Sequence, residues 1–425
     1  MSVAKDAAPG GRCFGILAAG ALAGVLLNQN AMAAEEGWNW SKEVWGQLAV
    51  ESRWFPEGPA WTSQLSRSNG FVASPRMRFE SAKGVGVTFS PFYRFDGDDA
   101  KRSHADLREA SLALWGGGED GQWELRVGVD RVFWSVVESN HLVDVVNQTD
   151  LVEHPDEKAR LGQPMVHFSY SADWGVFDLI GLPFHQKRTF PGRNGRLRPR
   201  FAVDSDRSTY ESGAEDRHVD FAARYGRTFG PMDVGVSGFW GTSREPFLTL
   251  GVDQEGTSLL VPHYQQIRQL ALDLQLSAGP WLLKLEGVRR AGALNRLGAE
   301  EDYAAFVIGG EYAVLSALGS SADVTLVAEW SYDERDRRAT TRYENDLFLA
   351  MRIAINDFAS SELTVSALVG RDHSSRALSL DFNRRIADGW TLRAAAYALL
   401  RVDAVDVLHD IRQDSLLELG VTYRF

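Results

Sequence analysis

The sequence predicts an all-β chain: one antiparallel, up-and-down β-barrel that crosses a membrane, with about eighteen strands and sixteen as the nearest rival count. Three observations carry this expectation. Apolar and polar residues alternate with a period of two along most of the chain after residue 43. The gaps between the alternating segments are short and long by turns. No apolar run reaches the roughly 20 residues that a membrane-crossing helix needs.

The chain opens on a different pattern. Lys5 and Arg12 make a basic start, residues 13–27 are a short apolar run, and Ala31-Met32-Ala33 is a small-x-small site. This layout predicts a secretory signal peptide over 1–33, cleaved after Ala33. Residues 34–425 are then expected to form one domain, the barrel. Cys13 is the only cysteine, so that domain has no thiol for disulfides, catalysis or metal binding. Loss of Lys5, Asp6 and Arg12 takes the formal net charge from −12 to −13. Such an acidic chain makes nucleic acid an improbable partner.

The strands follow in order. The first, 44–55, sets Val44, Leu48, Val50 and Trp54 against Gln47, Glu51 and Arg53. In 71–80, Phe71, Ala73, Met77 and Phe79 oppose Ser74, Arg76, Arg78 and Glu80. A short turn leads to 85–95, where Val87, Phe89, Tyr93 and Phe95 oppose Thr88, Ser90 and Arg94. Strand 107–115 precedes 123–130, in which Trp123, Leu125, Val127 and Val129 oppose Glu124, Arg126 and Asp130. Later strands are expected near 164–170, 175–183, 218–227, 231–241, 263–277, 281–291, 302–314, 322–333, 346–356, 361–371, 376–385, 389–402 and 415–425.

Gaps after even-numbered strands are brief, as at 171–174, 228–230 and 278–280. Most odd-numbered strands are followed by long ones: 133–163, 184–217, 242–262, 333–345 and 403–414. Short periplasmic turns and long extracellular loops are the transmembrane-barrel pattern. Closure is a physical requirement, because unpaired backbone groups cannot face lipid.

Two long loops stand out. Residues 133–163 contain Trp134, His141, Asp144, Asn147 and Asp150 among many apolar residues, too apolar for a freely solvated loop. Two readings stand: a loop packed on the rim or on itself, or a segment folded into the lumen as a constriction. Residues 184–217 are basic early and acidic late, with Lys187, Arg188, Arg193, Arg196, Arg198 and Arg200 ahead of Asp204, Glu211 and Asp216. The expectation there is a solvated loop whose charges pair with each other or with lipopolysaccharide phosphates.

Motifs of covalent chemistry are not found. The histidines are scattered, there is no G-x-S-x-G elbow, and Gly116-Gly117-Gly118 lacks the Lys-Ser/Thr of a phosphate cradle. The expectation is no enzyme, no cofactor and no metal.

The last residues, Leu417, Leu419, Val421, Tyr423 and Phe425, alternate with Glu418, Gly420, Thr422 and Arg424. This tail resembles the closing strand of Gram-negative outer-membrane β-barrels of the porin-like type, in which Tyr423 and Phe425 would belong to the signal read by the barrel-assembly machinery. The run from Arg126 through Trp134 to Asn147 and Asp150 is also similar to a segment of porin-like barrels. The resemblance implies residence in the outer membrane, contact with its lipid and lipopolysaccharide, and passive diffusion of small hydrophilic solutes, anions among them. The alternatives are a barrel enzyme, a receptor or adhesin acting through its outer loops, or a plugged barrel that does not conduct. Oligomeric state stays open.

The alternation assigns the lumen. Arg53, Arg76, Arg78, Arg94 and Arg126 form a basic ladder on neighbouring early strands. Asp130, Asp220, Asp273 and Glu329, with Glu286, are its acidic counterparts elsewhere. Two roles are open to these charges: keeping the lumen wet while pairing across strands, or making a transverse field that orients a passing solute.

Overall fold

The computed structural model describes residues 39–154 and 156–425; the expected signal peptide lies outside them. The chain runs through β1 (Trp40–Trp54), β2 (Arg67–Ser81), β3 (Val85–Asp96), β4 (His104–Gly118), β5 (Gly121–Asp130), β6 (Gln163–Ala172) and β7 (Gly175–Leu182). Then come β8 (Thr209–Tyr210), β9 (Asp220–Phe229), β10 (Met232–Thr242), β11 (Phe247–Val252), β12 (Ser258–Tyr264), β13 (Gln266–Ala278) and β14 (Trp281–Leu294). The last seven are β15 (Glu300–Val314), β16 (Asp323–Asp333), β17 (Asn345–Ala354), β18 (Glu362–Gly370), β19 (Arg376–Ala387), β20 (Trp390–Arg401) and β21 (Leu416–Arg424). Eighteen of these make one antiparallel sheet, which closes where β1 pairs with β21, from Gln47 opposite Arg424 to Trp54 opposite Leu417. The expected count of eighteen is the observed one, and each expected strand has its counterpart.

Alternation sorts the two faces. On β13, Leu270 and Leu272 are 62% and 39% exposed, whereas Gln269 and Asp273 on either side of them are 4% and 3% exposed. The protein is thus turned inside out. Val50, Leu112, Val127, Leu326 and Leu419 stand on the outer surface, and charged side chains are buried within. A continuous apolar exterior of this kind suits lipid, and its closed ladder leaves no edge unpaired. Aromatic side chains gather near the short turns: Trp174 stacks between Tyr170 and Tyr225 at 5.9 and 6.0 Å, and Trp390 packs on Tyr423 at 5.0 Å. They make the kind of girdle found where a barrel meets the membrane interface. Leu272→Arg is therefore expected to cost about 2–4 kcal/mol, the range for a cation near the bilayer midplane. Unfolding titrations in lipid would read this; a cost near zero would remove Leu272 from the lipid face.

One irregularity shapes the lumen. Ser90 lies opposite Glu109 and Pro91 opposite Leu107, so Arg108 is an extra residue in β4. Such a bulge shifts the phase of alternation. Arg108 and Glu109, consecutive in sequence, are both buried on the lumenal side, at 5% and 7% exposure.

The long loops depart from expectation in two places. The expected loop 242–262 instead holds most of the β11–β12 hairpin, which joins β8 in a separate three-stranded sheet. Residues 184–217 are not the solvated loop expected from their charge. Arg196 is buried over the Phe55 ring at 4.7 Å, and its Nε donates to Asp414 at 2.6 Å. Arg198 donates to the Pro199 and Arg200 carbonyls at 2.9 and 2.8 Å. Acceptors from distant loops and from its own backbone take the place of water.

Candidate functional site in the lumen

The five arginines of the expected ladder all face the lumen, but they divide into two groups with different partners. Arg53 and Arg94 are buried, and both reach the long loop of residues 131–162. The Arg53 Nη2 donates to the Glu153 carbonyl at 2.8 Å and its Nε to Glu418 at 2.6 Å. The Arg94 Nη2 donates to the Glu153 carboxylate at 2.8 Å, and its Nη1 pairs with Glu51. Two arginines outside the ladder complete the set. Arg102 donates to the Val152 carbonyl at 3.0 Å, and Arg108 to the Asp150 carboxylate. These four guanidiniums are rivets between loop and wall, since charge-assisted bonds of this kind are the strong ones.

Arg76, Arg78 and Arg126 form the second group. With Arg131 they line a cavity of about 780 Å³ bounded by β2–β7. Each has an acid beside it: Glu109 for Arg76, Glu80 for Arg78, and Glu124 and Asp130 for Arg126, the last at 3.2 Å. This wall is mixed in sign and water-facing.

The loop is folded into the lumen. Trp134, Val143, Val145 and Val146 form an apolar core with Ile180, Phe239, Ile267, Val288 and Tyr303 of the opposing strands. Asn147 clasps the loop's two ends. Its Oδ1 accepts from the Val132 N–H at 2.8 Å, and its Nδ2 donates to the Asp130 and Leu161 carbonyls, both at 3.0 Å. Two buried carboxylates on the far wall hold the loop's tip. Glu286 accepts from Ser135 Oγ and from the N–H groups of Val136, Val137 and Val143, at 2.5–3.3 Å. Glu329 accepts from the N–H groups of Glu138 and Ser139 at 2.8 Å each, and from Ser139 Oγ at 2.6 Å. The loop thus spans the barrel from the Arg94 wall to the Glu329 wall.

The remaining loop residues are placed as follows. Asp144 accepts from the Trp134 N–H at 2.8 Å, and burial raises its carboxyl to about 6. Its neighbour His141 lies edge-on to Phe133 at 5.2 Å; burial, with Lys158 and Arg160 nearby, lowers its imidazole to about 4. Burial alone would raise the Asp150 carboxyl, but hydrogen bonds and charge from His104 and Arg108 hold it at about 2. Asp150 therefore faces Arg108 and His104 instead of the Arg76–Arg78–Arg126 wall. Of the other acids, Asp220 is bound by Arg244 at 2.8 Å and by His218 at 2.7 Å, and Asp273 by Arg224 at 2.6 Å. Both belong to the structural scaffold of β9–β13.

His104, Asp150 and Glu153 bring three potential ligand atoms within 4.8 Å. Arg94 and Arg108 already occupy those carboxylates, so a cation would compete with two fixed guanidiniums.

Two further spaces flank the loop. One of about 650 Å³ is bounded by β16–β20 and by Asp156 and Lys158. The other, about 320 Å³, lies under the long loops and contains Glu157, Arg160 and Arg342. Residues adjacent in sequence face the two spaces at 138–141, 156–160 and 342–343, and these segments form a partition between them. Arg102, Arg108, Glu153 and Glu418 complete the lumenal network; of these, only Glu418 carried the alternation signal that marks a lumenal residue.

No family model matches the chain, and no curated protein matches it. Among solved structures, it is similar to an engineered protein described for its asymmetric conductivity, at 11% identity over 91% of this chain and 100% of the other, with a TM-score of 0.44. A triple mutant of the Rhodopseudomonas blastica porin is similar at 12% identity, with the same coverage and a TM-score of 0.44. The closed eighteen-stranded barrel rests on its own strand pairing. No residue of this chain takes a role from those proteins.

Proposed function

We propose that the protein is a channel in the outer membrane of a Gram-negative bacterium, through which small hydrophilic solutes, anions among them, diffuse passively past the inward loop. One observation supports this reading: an inside-out barrel whose polar lumen keeps spaces of about 320, 650 and 780 Å³ around the inward loop. Lipid would contact the apolar belt, lipopolysaccharide the long-loop end, and the barrel-assembly machinery the strand ending in Tyr423 and Phe425. No covalent step is invoked, and the work is selection by size and charge.

A partition that includes Glu157, Arg160 and Arg342 stands between the spaces of about 320 and 650 Å³. The apolar core around Trp134 favours a second reading, a barrel that its own loop keeps shut. Liposome swelling separates the two. Proteoliposomes placed in iso-osmotic small solutes are expected to swell, with rates that fall steeply as solute size grows. Folded protein that gives no more swelling than empty liposomes would favour the shut barrel.

The mixed wall supplies a charge test. Replacing Arg76, Arg78 and Arg126 together by Gln removes the paired cations of Glu80, Glu124 and Asp130 and leaves Glu109 with Arg131 alone. The reversal potential in a salt gradient is expected to move toward cation preference. An unmoved potential in a conducting barrel would mean that ions do not travel along this wall.

A further inference from the structure

The space of about 320 Å³ outside the loop differs in charge from the rest of the lumen. Six arginines line it: Arg160, Arg188, Arg198, Arg244, Arg290 and Arg342. Four acids share it: Asp144, Glu157, Glu245 and Asp410. The excess is cationic, in a chain whose net charge is −12. By contrast, the arginines of the β2–β7 wall face at least as many acids.

Two of the six lack a carboxylate in direct contact. Among the described residues, neither Arg160 nor Arg188 has a carboxylate in ion-pair contact, although both are close to the space. Arg188 donates from Nε only to Gln148, at a long 3.4 Å, and from its N–H to Tyr264. Arg160 spends Nη1 on Thr149 and the Glu157 carbonyl. Burial depresses the Arg160 guanidinium most; Asp144, Glu157 and Asp156 oppose this from a distance, and Arg188 adds to it, so none of the three acids holds the group in direct contact. Arg244 adds a buried Nη2 without a hydrogen-bond partner. The same space has an apolar side, built by Leu142, Val145, Leu197, Ile267 and Leu408. A cavity of this size with convergent polar groups on one side and an apolar surface on the other can hold a small molecule.

We propose that this vestibule binds a small organic anion, a carboxylate on an apolar body, with Arg160 and Arg188 taking the carboxylate and the Leu142–Val145–Ile267 side taking the body. The proposal rests on the channel reading for its purpose, since a solute held here stands directly outside the partition. Binding itself is independent of transport. A planar guanidinium can hold a carboxylate through two parallel bonds, which suits Arg better than Lys for orientation, while Lys keeps the charge.

Calorimetry on the purified, folded barrel in detergent tests it, with benzoate, its neutral isostere benzamide, and inorganic phosphate as probes. Benzoate is expected to bind at least tenfold more tightly than either. Arg188→Gln should weaken benzoate at least tenfold, and Arg188→Lys should recover part of the loss. Benzamide binding as well as benzoate would overturn the role of charge. Phosphate binding as well as benzoate would overturn the role of the apolar side. Absence of benzoate binding would overturn the site altogether. If Arg188→Gln fails to fold, the three probes on the unmodified protein still decide. Swelling without benzoate binding ends this proposal and leaves the channel; benzoate binding without swelling ends the channel and leaves the site.

Discussion

Glu286→Ala combined with Glu329→Ala is expected to free the tip of the inward loop and raise conductance several-fold. Together the two carboxylates accept from the N–H groups of Val136, Val137, Glu138, Ser139 and Val143. Each buried N–H left without an acceptor costs about 1–3 kcal/mol, and bonds to a charged acceptor are stronger than neutral ones. Five such losses exceed what a short loop segment can absorb in place. The tip should leave the far wall, become open to protease between residues 135 and 143, and widen the route. Glu286→Gln with Glu329→Gln keeps an acceptor at each site and should fall between. Unchanged conductance with a protected loop would show that the apolar core around Trp134 alone holds the constriction.

Removal of Tyr423–Phe425 is expected to abolish most of the folded protein in the membrane. The Phe425 carbonyl accepts from the Gly46 N–H at 3.0 Å, its N–H donates back at 3.2 Å, and the Arg424 N–H donates to the Gly389 carbonyl at 2.7 Å. Tyr423 pairs with Leu48 on one side and with Trp390 on the other. These residues close the ring at the short-turn end, where an open edge would leave backbone groups unpaired against lipid. Heat-modifiable migration on gels reports the folded barrel. Unchanged amounts of the folded form would mean that closure and delivery need none of the three residues.

The strands were legible because a membrane barrel writes its fold locally: each strand has one face for lipid and one for water. Leu270–Asp273 shows how little context this needs. The lumenal direction of Arg53, Arg76, Arg78, Arg94 and Arg126 followed from the same rule. What those arginines hold did not. Arg108 was hidden because the bulge in β4 changes the phase of alternation between Leu107 and Glu109. Glu153 and Arg102 lie in loops, where no period exists to assign a face. The loop's apolar content marked it as something other than a solvated segment. Its anchors on β14 and β16 lie far along the chain, so no local pattern joins them to it. Arg196 carries the same lesson: a run of charge reads as solvated until a distant Asp414 is brought beneath it.

The most direct test of the central claim is the current through single molecules of the unmodified protein in a planar bilayer. A loop-constricted channel predicts small, uniform, stepwise increments that scale linearly with voltage. Inserted protein that is folded by heat-modifiable migration yet gives no steps would contradict it.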